Sequence, residues 1–258
     1  MLLQCLSDLH LETEAYTPVP APGADLLVLA GDIDSTWAGF ERFAGWPVPV
    51  IAVAGNHEFD DRELDDAWPA LRAHCSGLGI RLIEREAVVL VGRDGRRIRF
   101  VGTVRWTDFD LFGAAQRERA MRAGAYFMNV QRSRRRGASF DAEAVRDEAL
   151  GCRAWLAAEL ARPSQGHWDA TVVVTHFAPS VRSVDPRYGR QPASASFCNA
   201  DDGLLPAADL WLHGHLHCRH DYLVQHPNGR RTRVACQARG LVSKGEDAGF
   251  DAAQLFAV

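Results

Sequence analysis

Short runs of apolar, often β-branched residues recur along this chain, and several of them end directly in polar residues. The runs at 2–6, 25–30 and 48–54 are almost entirely apolar, which is typical of strands buried on both faces of a sheet. Helical patterns at 37–43 and 61–74 separate or follow them. Strands that alternate with helices indicate βαβ units and a largely parallel sheet. The chain is therefore predicted to be an α/β protein.

A strongly periodic helix is predicted in the second half of the chain, over residues 141–160. Apolar residues recur there on one helical face. These residues are Val145, Ala149, Cys152, Leu156 and Leu160. Further strands are predicted at 80–83, 87–91, 97–101, 171–174, 209–212, 222–225 and 232–236.

Two stretches have no clear period. Residues 106–136 are polar and rich in arginine, and residues 178–199 form a long loop that contains three prolines. A loop of this length inside a domain tends to be functional. No linker, repeat or low-complexity tract interrupts the chain, so we expect a single domain over residues 1–258.

The composition excludes some classes of protein. Hydrophobic residues make up 47% of the chain and the net charge is −4, so no overall basic charge favours nucleic acid or an anionic membrane. The six cysteines are scattered without a C-x-x-C pair, which favours a reducing compartment. No signal peptide or run of about 20 apolar residues is recognisable. We expect a cytoplasmic protein that does not bind membranes.

Five short motifs offer possible metal ligands, and each follows an apolar run. They are Ser7-Asp8-Leu9-His10, Gly31-Asp32, Gly55-Asn56-His57-Glu58, Thr175-His176 and Gly214-His215-Leu216-His217. Polar residues at the carboxyl ends of neighbouring strands converge on one crevice of an α/β sheet. The motifs supply oxygen and imidazole ligands without a thiolate. Such a set can hold two divalent metals, which clamp a phosphoryl group and generate hydroxide at neutral pH.

In this order, the motifs resemble those of the calcineurin-like metallophosphoesterases. They extend from residue 7 to residue 217, so the resemblance covers most of the chain. It implies a four-layer α-β-β-α sandwich, in which two mixed sheets lie face to face with helices outside. It also implies a metal-dependent phosphoesterase with two divalent metals about 3.5–4 Å apart.

The resemblance also implies a role for each motif residue. The first metal would be held by Asp8, His10 and His217, and the second by Asn56, His176 and His215. Asp32 would bridge both metals. His57 would not be a ligand; it would lie over the phosphate, where it would stabilise charge or protonate the leaving oxygen as a general acid.

Nitrogen and oxygen ligands suit Mn²⁺, Fe, Zn²⁺ or Ni²⁺, and the resemblance favours manganese. The expected substrate is a small phosphodiester or phosphomonoester, such as a nucleotide. One alternative is a nuclease or end-processing phosphoesterase, and a less favoured one is a non-catalytic interaction module that binds metal for stability. The sequence does not define the oligomeric state.

Several weaker signals leave two interpretations open. Glu58 either orients His57 or, as we prefer, contributes a favourable charge at the start of the next helix. The arginine cluster at 132–136 either contacts phosphate or, as we prefer, forms a solvated surface. Trp106 and Phe109 either stack on a base or pack in the core, and His213 is expected to be a buried, hydrogen-bonded histidine rather than a ligand.

Overall fold

The computed structural model describes all 258 residues, which form thirteen strands and three α-helices joined by loops and short 3₁₀ turns. In chain order the elements are β1 (Leu2–Leu6), β2 (Leu26–Ala30), β3 (Val50–Val53), α1 (Leu64–Gly77), β4 (Ile80–Leu82), β5 (Glu86–Val91), β6 (Arg97–Thr103), α2 (Arg117–Gln131), β7 (Arg134–Arg135), β8 (Ala138–Ser139), α3 (Ala142–Leu160), β9 (Ala170–Thr175), β10 (Leu210–His213), β11 (Arg219–Gln225), β12 (Arg231–Gln237) and β13 (Leu255–Ala257).

Two large mixed sheets contain all strands except the short β7–β8 pair. The first sheet has the order β13-β1-β2-β3-β4, in which only the β13–β1 pair is antiparallel. The second has the order β11-β12-β10-β9-β6-β5, with antiparallel pairs at both edges and parallel pairs in the middle. The motif-bearing strands β1, β2, β3, β9 and β10 are therefore mutually parallel within each sheet.

The protein has a large and a small hydrophobic core, and the residues in each show how the sheets and helices are layered. Val172 and Val174 of β9 belong to the large core, which also contains residues of the first sheet such as Leu29. Val173, between them, points to a smaller core that includes Leu156 of α3. Since side chains alternate across a strand, the second sheet packs on the first sheet with one face and on α3 with the other. The predicted α/β class and the sandwich of two mixed sheets are confirmed.

The predicted helix over 141–160 is present as α3. All five residues of its predicted apolar face are buried. Asp141 caps its first turn, because its carboxylate accepts the backbone N–H groups of Glu143 and Ala144.

Other local predictions need correction. The 37–43 segment contains only a 3₁₀ helix, over Ala38–Phe43. The stretch 106–136, which shows no sequence period, contains α2. Strand β13 was not predicted at all; it pairs with β1 from the opposite end of the chain. None of the helices combines the length and hydropathy required to cross a bilayer.

Candidate metal centre

The predicted ligands converge where the strands of both sheets end. Asp8, Asp32 and Asn56 follow β1, β2 and β3, which are neighbours in the first sheet. His176 and His215 follow β9 and β10, which are neighbours in the second sheet. Hydrogen bonds between the strand ends, such as Asp8 N–H to Gly31 O at 3.0 Å and Gly214 N–H to His176 O at 3.0 Å, hold the loops together.

Asp8, His10 and His217 form the first cluster, whose possible ligand atoms all lie within 4.8 Å of one another. The Nε2 atoms of His10 and His217 are 3.0 Å apart. Nδ1 of His10 donates to Glu12 at 3.0 Å, and Nδ1 of His217 donates to Glu246 at 2.6 Å. With Nδ1 as the donor, each neutral imidazole presents a bare lone pair at Nε2. Two lone pairs at this distance need either a proton or a metal cation to relieve their repulsion.

Asp32, His176 and His215 form the second cluster, again with ligand atoms within 4.8 Å. His176 donates from Nδ1 to the carbonyl oxygen of Ala30 at 2.8 Å, so its Nε2 is the free nitrogen. That atom lies 3.2 Å from Asn56 Oδ1 and 3.0 Å from Asp32 Oδ2. Asp32 and His176 are both buried. The second cluster therefore gathers oxygen and imidazole atoms in a space that holds no solvent-exposed partner for them.

The pKa values of His176 and Asp32 show that a positive charge is favoured in the second cluster. Burial disfavours the charged form of His176, but the charge of Asp32 outweighs it and raises the histidine pKa to about 9. In turn, burial opposes ionisation of Asp32, but the neighbouring histidines hold its pKa well below the usual range. A proton satisfies this site in the absence of metal, and a divalent cation among the acceptors satisfies it more fully.

The backbone at the site is held in an unusual conformation. Thirteen residues other than glycine have a positive φ, and five of them are predicted ligands: Asp8, His10, Asp32, His215 and His217. The left-handed region is uncommon for such residues and costs about 1–3 kcal/mol each when the conformation is sparsely populated. Strain concentrated at ligand positions indicates that the loops are shaped to aim these side chains.

Glycines in the motifs leave room for the ligands. A Cβ atom on Gly55 would lie 2.1 Å from Asp32 Oδ1, and one on Gly214 would lie 2.6 Å from Asp8 Oδ2. A Cβ on Gly31 would lie 2.3 Å from His176 Nδ1. Each motif glycine is therefore needed because a ligand side chain occupies the space that a larger residue would fill.

Carboxylates that the sequence analysis missed support the histidines. Glu12, Asp60 and Glu246 accept from Nδ1 of His10, His57 and His217, respectively. Burial opposes ionisation of Glu246, but the hydrogen bond from His217 lowers its pKa to about 2. Glu246 could not be recognised from the sequence, because it contacts His217 only in the folded protein.

Glu58 has neither of the two predicted roles. It is fully buried, and α1 begins only at Leu64. Its carboxylate accepts backbone N–H groups of Gly55 at 2.6 Å, Ile33 at 2.7 Å and Asp32 at 3.0 Å. Glu58 thus holds the two loops that present Asp32 and Asn56 to the centre.

His57 stands next to the clusters without joining either of them. Its backbone N–H donates to Asp32 Oδ1 at 2.9 Å, and its ring lies 5.2 Å from that of His10. Nδ1 donates to Asp60 at 2.7 Å. Burial lowers the pKa of His57, but the charges of Asp32 and Asp60 outweigh it and raise the pKa to about 10. Its imidazolium can therefore offer a proton from Nε2 at neutral pH.

A cavity of about 750 Å³ opens over both clusters. Lys244 is the one lysine in its lining, and no arginine lines it. Five carboxylates line it: Glu12, Asp32, Asp60, Asp185 and Glu246. An anionic ligand would be repelled from such a surface unless cations were bound in it. The charge balance therefore fits a site for divalent metals, as does the nitrogen and oxygen donor set.

The weaker sequence signals are now resolved structurally. Trp106 and Phe109 are 1% and 0% exposed, so they pack in the core and cannot stack on a ligand. His213 is buried and bonded to Gly214 O and His220, as expected. The loop at 178–199 reaches the cavity, which it lines with Tyr188 and Phe197 among others.

The arginine cluster lies at the surface and is largely neutralised by acids. Arg132 forms two hydrogen bonds with Asp61, at 2.6 and 2.7 Å. Arg135 forms an ion pair with Glu148 at 2.7 Å. None of these arginines lines the cavity over the clusters, which agrees with the preferred interpretation of a solvated surface.

Comparisons with known proteins identify the family of this chain. A family model described as calcineurin-like phosphoesterase matches residues 3–219. A search of curated proteins finds no match.

Two solved structures are similar to this chain. One is phosphopantetheinyl hydrolase from Mycobacterium tuberculosis, with a TM-score of 0.68, 19% identity, and coverage of 94% of this chain and 90% of that one. The other is the calcineurin-like phosphoesterase YfkN from Bacillus subtilis, with a TM-score of 0.45, 14% identity, and coverage of 91% and 80%. The first likeness shows a shared fold. The family model matches most of this chain. The chain is therefore a metal-dependent phosphoesterase that belongs to the calcineurin-like phosphoesterase family.

Proposed function

We propose that this enzyme hydrolyses small phosphodiesters or phosphomonoesters, such as nucleotides, with two divalent metals held by seven side chains. Asp8, His10 and His217 would hold the first metal; Asn56, His176 and His215 would hold the second; and Asp32 would lie between them. The observation that carries this proposal is the pair of adjacent acceptor clusters in one acidic cavity. Because both sheets contribute to it, we also propose that residues 1–258 act as one domain.

The bound metals would polarise the phosphoryl group and supply the nucleophile at neutral pH. His57 would donate a proton from Nε2 to the departing oxygen, while Asp60 fixes the ring through Nδ1. Glu12 and Glu246 would orient His10 and His217 so that each directs Nε2 inward. Manganese is our preferred metal, and iron, zinc and nickel fit the same donors.

Two alternative functions are less well supported. A nuclease needs a basic surface for the phosphate backbone, but Arg132 and Arg135 are already paired with acids. A non-catalytic metal-binding module does not need His57, yet His57 is present beside the clusters. The six cysteines are all free, which supports the expected reducing, cytoplasmic location; that location stays a prediction.

Two substitutions test the assigned roles. His57→Ala should retain both metals and slow hydrolysis of an alkyl phosphate ester, whose alkoxide leaving group needs a proton, by about 10²–10⁴-fold, the usual contribution of a general acid. Asp32→Ala should lose metal as well as activity. Metal content by elemental analysis and kcat with saturating Mn²⁺ separate the two outcomes, and near-normal turnover by His57→Ala would refute the acid role.

A substrate panel on metal-reconstituted protein identifies the class of ester. It should compare p-nitrophenyl phosphate, its bis-ester, 2′,3′- and 3′,5′-cyclic nucleotides and short oligonucleotides. A phosphopantetheinyl ester is added because the Mycobacterium tuberculosis protein is named for that group. Faster turnover of oligonucleotides than of every small ester would favour the nuclease alternative.

A further inference from the structure

The cavity over the metal centre has an aromatic side as well as an acidic one. Phe197 lies 4.9 Å from His215, Phe127 lies 5.0 Å from Phe197, and Tyr126 lies 5.5 Å from Phe127, measured between ring centroids. We call Phe197, Phe127 and Tyr126 the aromatic row. It runs without a gap from a predicted ligand to the protein surface, and all three of its residues line the cavity.

Three exposed apolar or aromatic residues line the cavity that contains the row. Tyr126 is 69% exposed, Tyr188 is 62% exposed and Val130 is 56% exposed. These three residues line the same cavity, although they come from α2 and from the 178–199 loop. Apolar side chains gathered at one concave surface indicate a binding site.

A phosphoryl group makes no use of such a surface. Its oxygens are satisfied by metals and hydrogen-bond donors, whereas burial of ring surface is favourable only against an apolar or aromatic group. The row begins at His215, so a group bound along it would be attached to the phosphorus that reacts at the clusters. The concave shape and the contact with His215 favour a substituent of the substrate over a separate protein partner.

We infer that the aromatic row and Tyr188 form a subsite for an aromatic or extended apolar ester group of the substrate. The inference rests on the proposed phosphoesterase function and specifies its substrate class: esters with a large organic arm, in preference to methyl or other minimal esters. Tyr126 and Tyr188, the exposed members, determine specificity and do not take part in the chemical step.

The test compares two phosphate esters, methyl phosphate and phenyl phosphate, by the release of inorganic phosphate, so that only the second substrate carries an aromatic group. In the Mn²⁺-loaded double variant Tyr126→Ser/Tyr188→Ser, kcat/KM for the phenyl ester should fall about tenfold, as expected for the lost apolar contact. For the methyl ester it should stay within about twofold. Because each substrate is compared with itself, their different intrinsic reactivities cancel.

Val91→Ser and Leu223→Ser are matched controls, since Val91 is 67% exposed and Leu223 is 56% exposed and neither lines the cavity. They should change neither rate. An equal effect of the double variant on both esters, or no effect on either, would overturn the subsite while leaving the hydrolase function intact. Failure of the metal-loaded wild type to hydrolyse any phosphate ester would instead overturn the proposed function, and the subsite with it.

Discussion

At the scale of single residues, the metal centre depends as much on small residues as on ligands. Gly55 is constrained by Asp32, whose Oδ1 and backbone nitrogen lie 2.1 and 2.5 Å from the position of an added Cβ. The backbone nitrogen cannot rotate away, so an alanine there must displace the loop that carries Asp32 or Asn56. In the motif Gly-Asn-His-Glu, the glycine thus leaves space for Asp32, and the next two residues are the proposed metal ligand and proton donor.

Gly55→Ala should weaken metal binding by about 10–100-fold, the usual effect of disturbing the support of a ligand. Titration of the metal-free protein against a fluorescent chelator measures this affinity. Gly203→Ala is the control, because an added Cβ there meets no atom within 4 Å. Equal affinities of the two variants would show that the close approach to Asp32 is not needed.

All eight proposed site residues can be chosen from the sequence because each lies within a short motif after a strand. It cannot identify Glu246 as the partner of His217, because the loop that joins them in space is set by the pairing of β11 with β12. The aromatic row is hidden for the same reason: Phe127 and Phe197 meet only when α2 packs on the 3₁₀ turn at Pro192–Ser196.

At the scale of elements, a helix can be predicted from the sequence when its buried face consists of apolar residues. Helix α3 has a continuous apolar face, so its period is visible in the sequence. Helix α2 buries Ala120, Gly124, Met128 and Gln131. This spacing is helical, but small and polar residues conceal the period. Gly124 is required because Phe109 packs against it, 2.6 Å from where a Cβ would be.

A pair of hydrogen-bonded histidines, one buried and one half-buried, links the 178–199 loop to the second sheet. His213 at the end of β10 and His220 on β11 have Nε2 atoms 2.8 Å apart, and Ser183 of the loop lies 3.3 Å from His213 Nε2. His213 shares its Nδ1 proton with Gly214 O, so His220 is the donor between the rings. Burial lowers the pKa of His220 to about 4, although Asp221 and Asp185 act in the opposite direction.

This lowered pKa predicts a loss of stability in mild acid. Between the unfolded pKa of about 6.5 and the folded pKa of about 4, the unfolded chain binds the extra proton. Stability therefore falls as the pH decreases through this window, by at most about 1.4 kcal/mol per pH unit for one group. His220→Gln, whose amide can still donate to His213, should flatten the dependence.

Urea unfolding at several values between pH 4 and 7 measures that slope. His167→Gln is the control, because His167 is exposed and its substitution should leave the slope unchanged. The same slope in His220→Gln as in the wild type would mean that protonation of His220 does not contribute to the loss of stability in acid.

At the scale of the whole molecule, the two sheets meet at the metal centre, and binding there should stabilise the entire fold. The possible ligand atoms of each cluster lie within 4.8 Å of one another, and a metal bound among them would join residues from both sheets. A ligand that binds only the folded state adds RT ln(1 + [L]/Kd), about 4 kcal/mol at a thousandfold excess over Kd.

Removal of metal with a chelator should therefore lower the melting temperature by several degrees, and Mn²⁺ should restore it. Differential scanning calorimetry measures the change. Asp32→Ala serves as the control, since it should melt at the same temperature with and without Mn²⁺. A wild-type protein insensitive to chelation would show that the clusters do not bind metal.

The overall architecture is predictable from the sequence because the motifs specify both the strand ends and the family. The sheet order is less accessible: β13 is a three-residue strand that pairs across nearly the whole chain length with β1. No local pattern encodes such a contact. The substrate cavity is similarly a property of the assembled molecule, because α2, the 178–199 loop and the strand ends all contribute to it.

The central claim is that the two clusters hold two metals with Asp32 between them. Anomalous diffraction from crystals of the Mn²⁺-loaded protein tests it most directly. We expect two peaks about 3.5–4 Å apart, one among Asp8, His10 and His217 and the other among Asn56, His176 and His215, with one Asp32 oxygen close to each. A single peak, or peaks outside these side chains, would contradict the account.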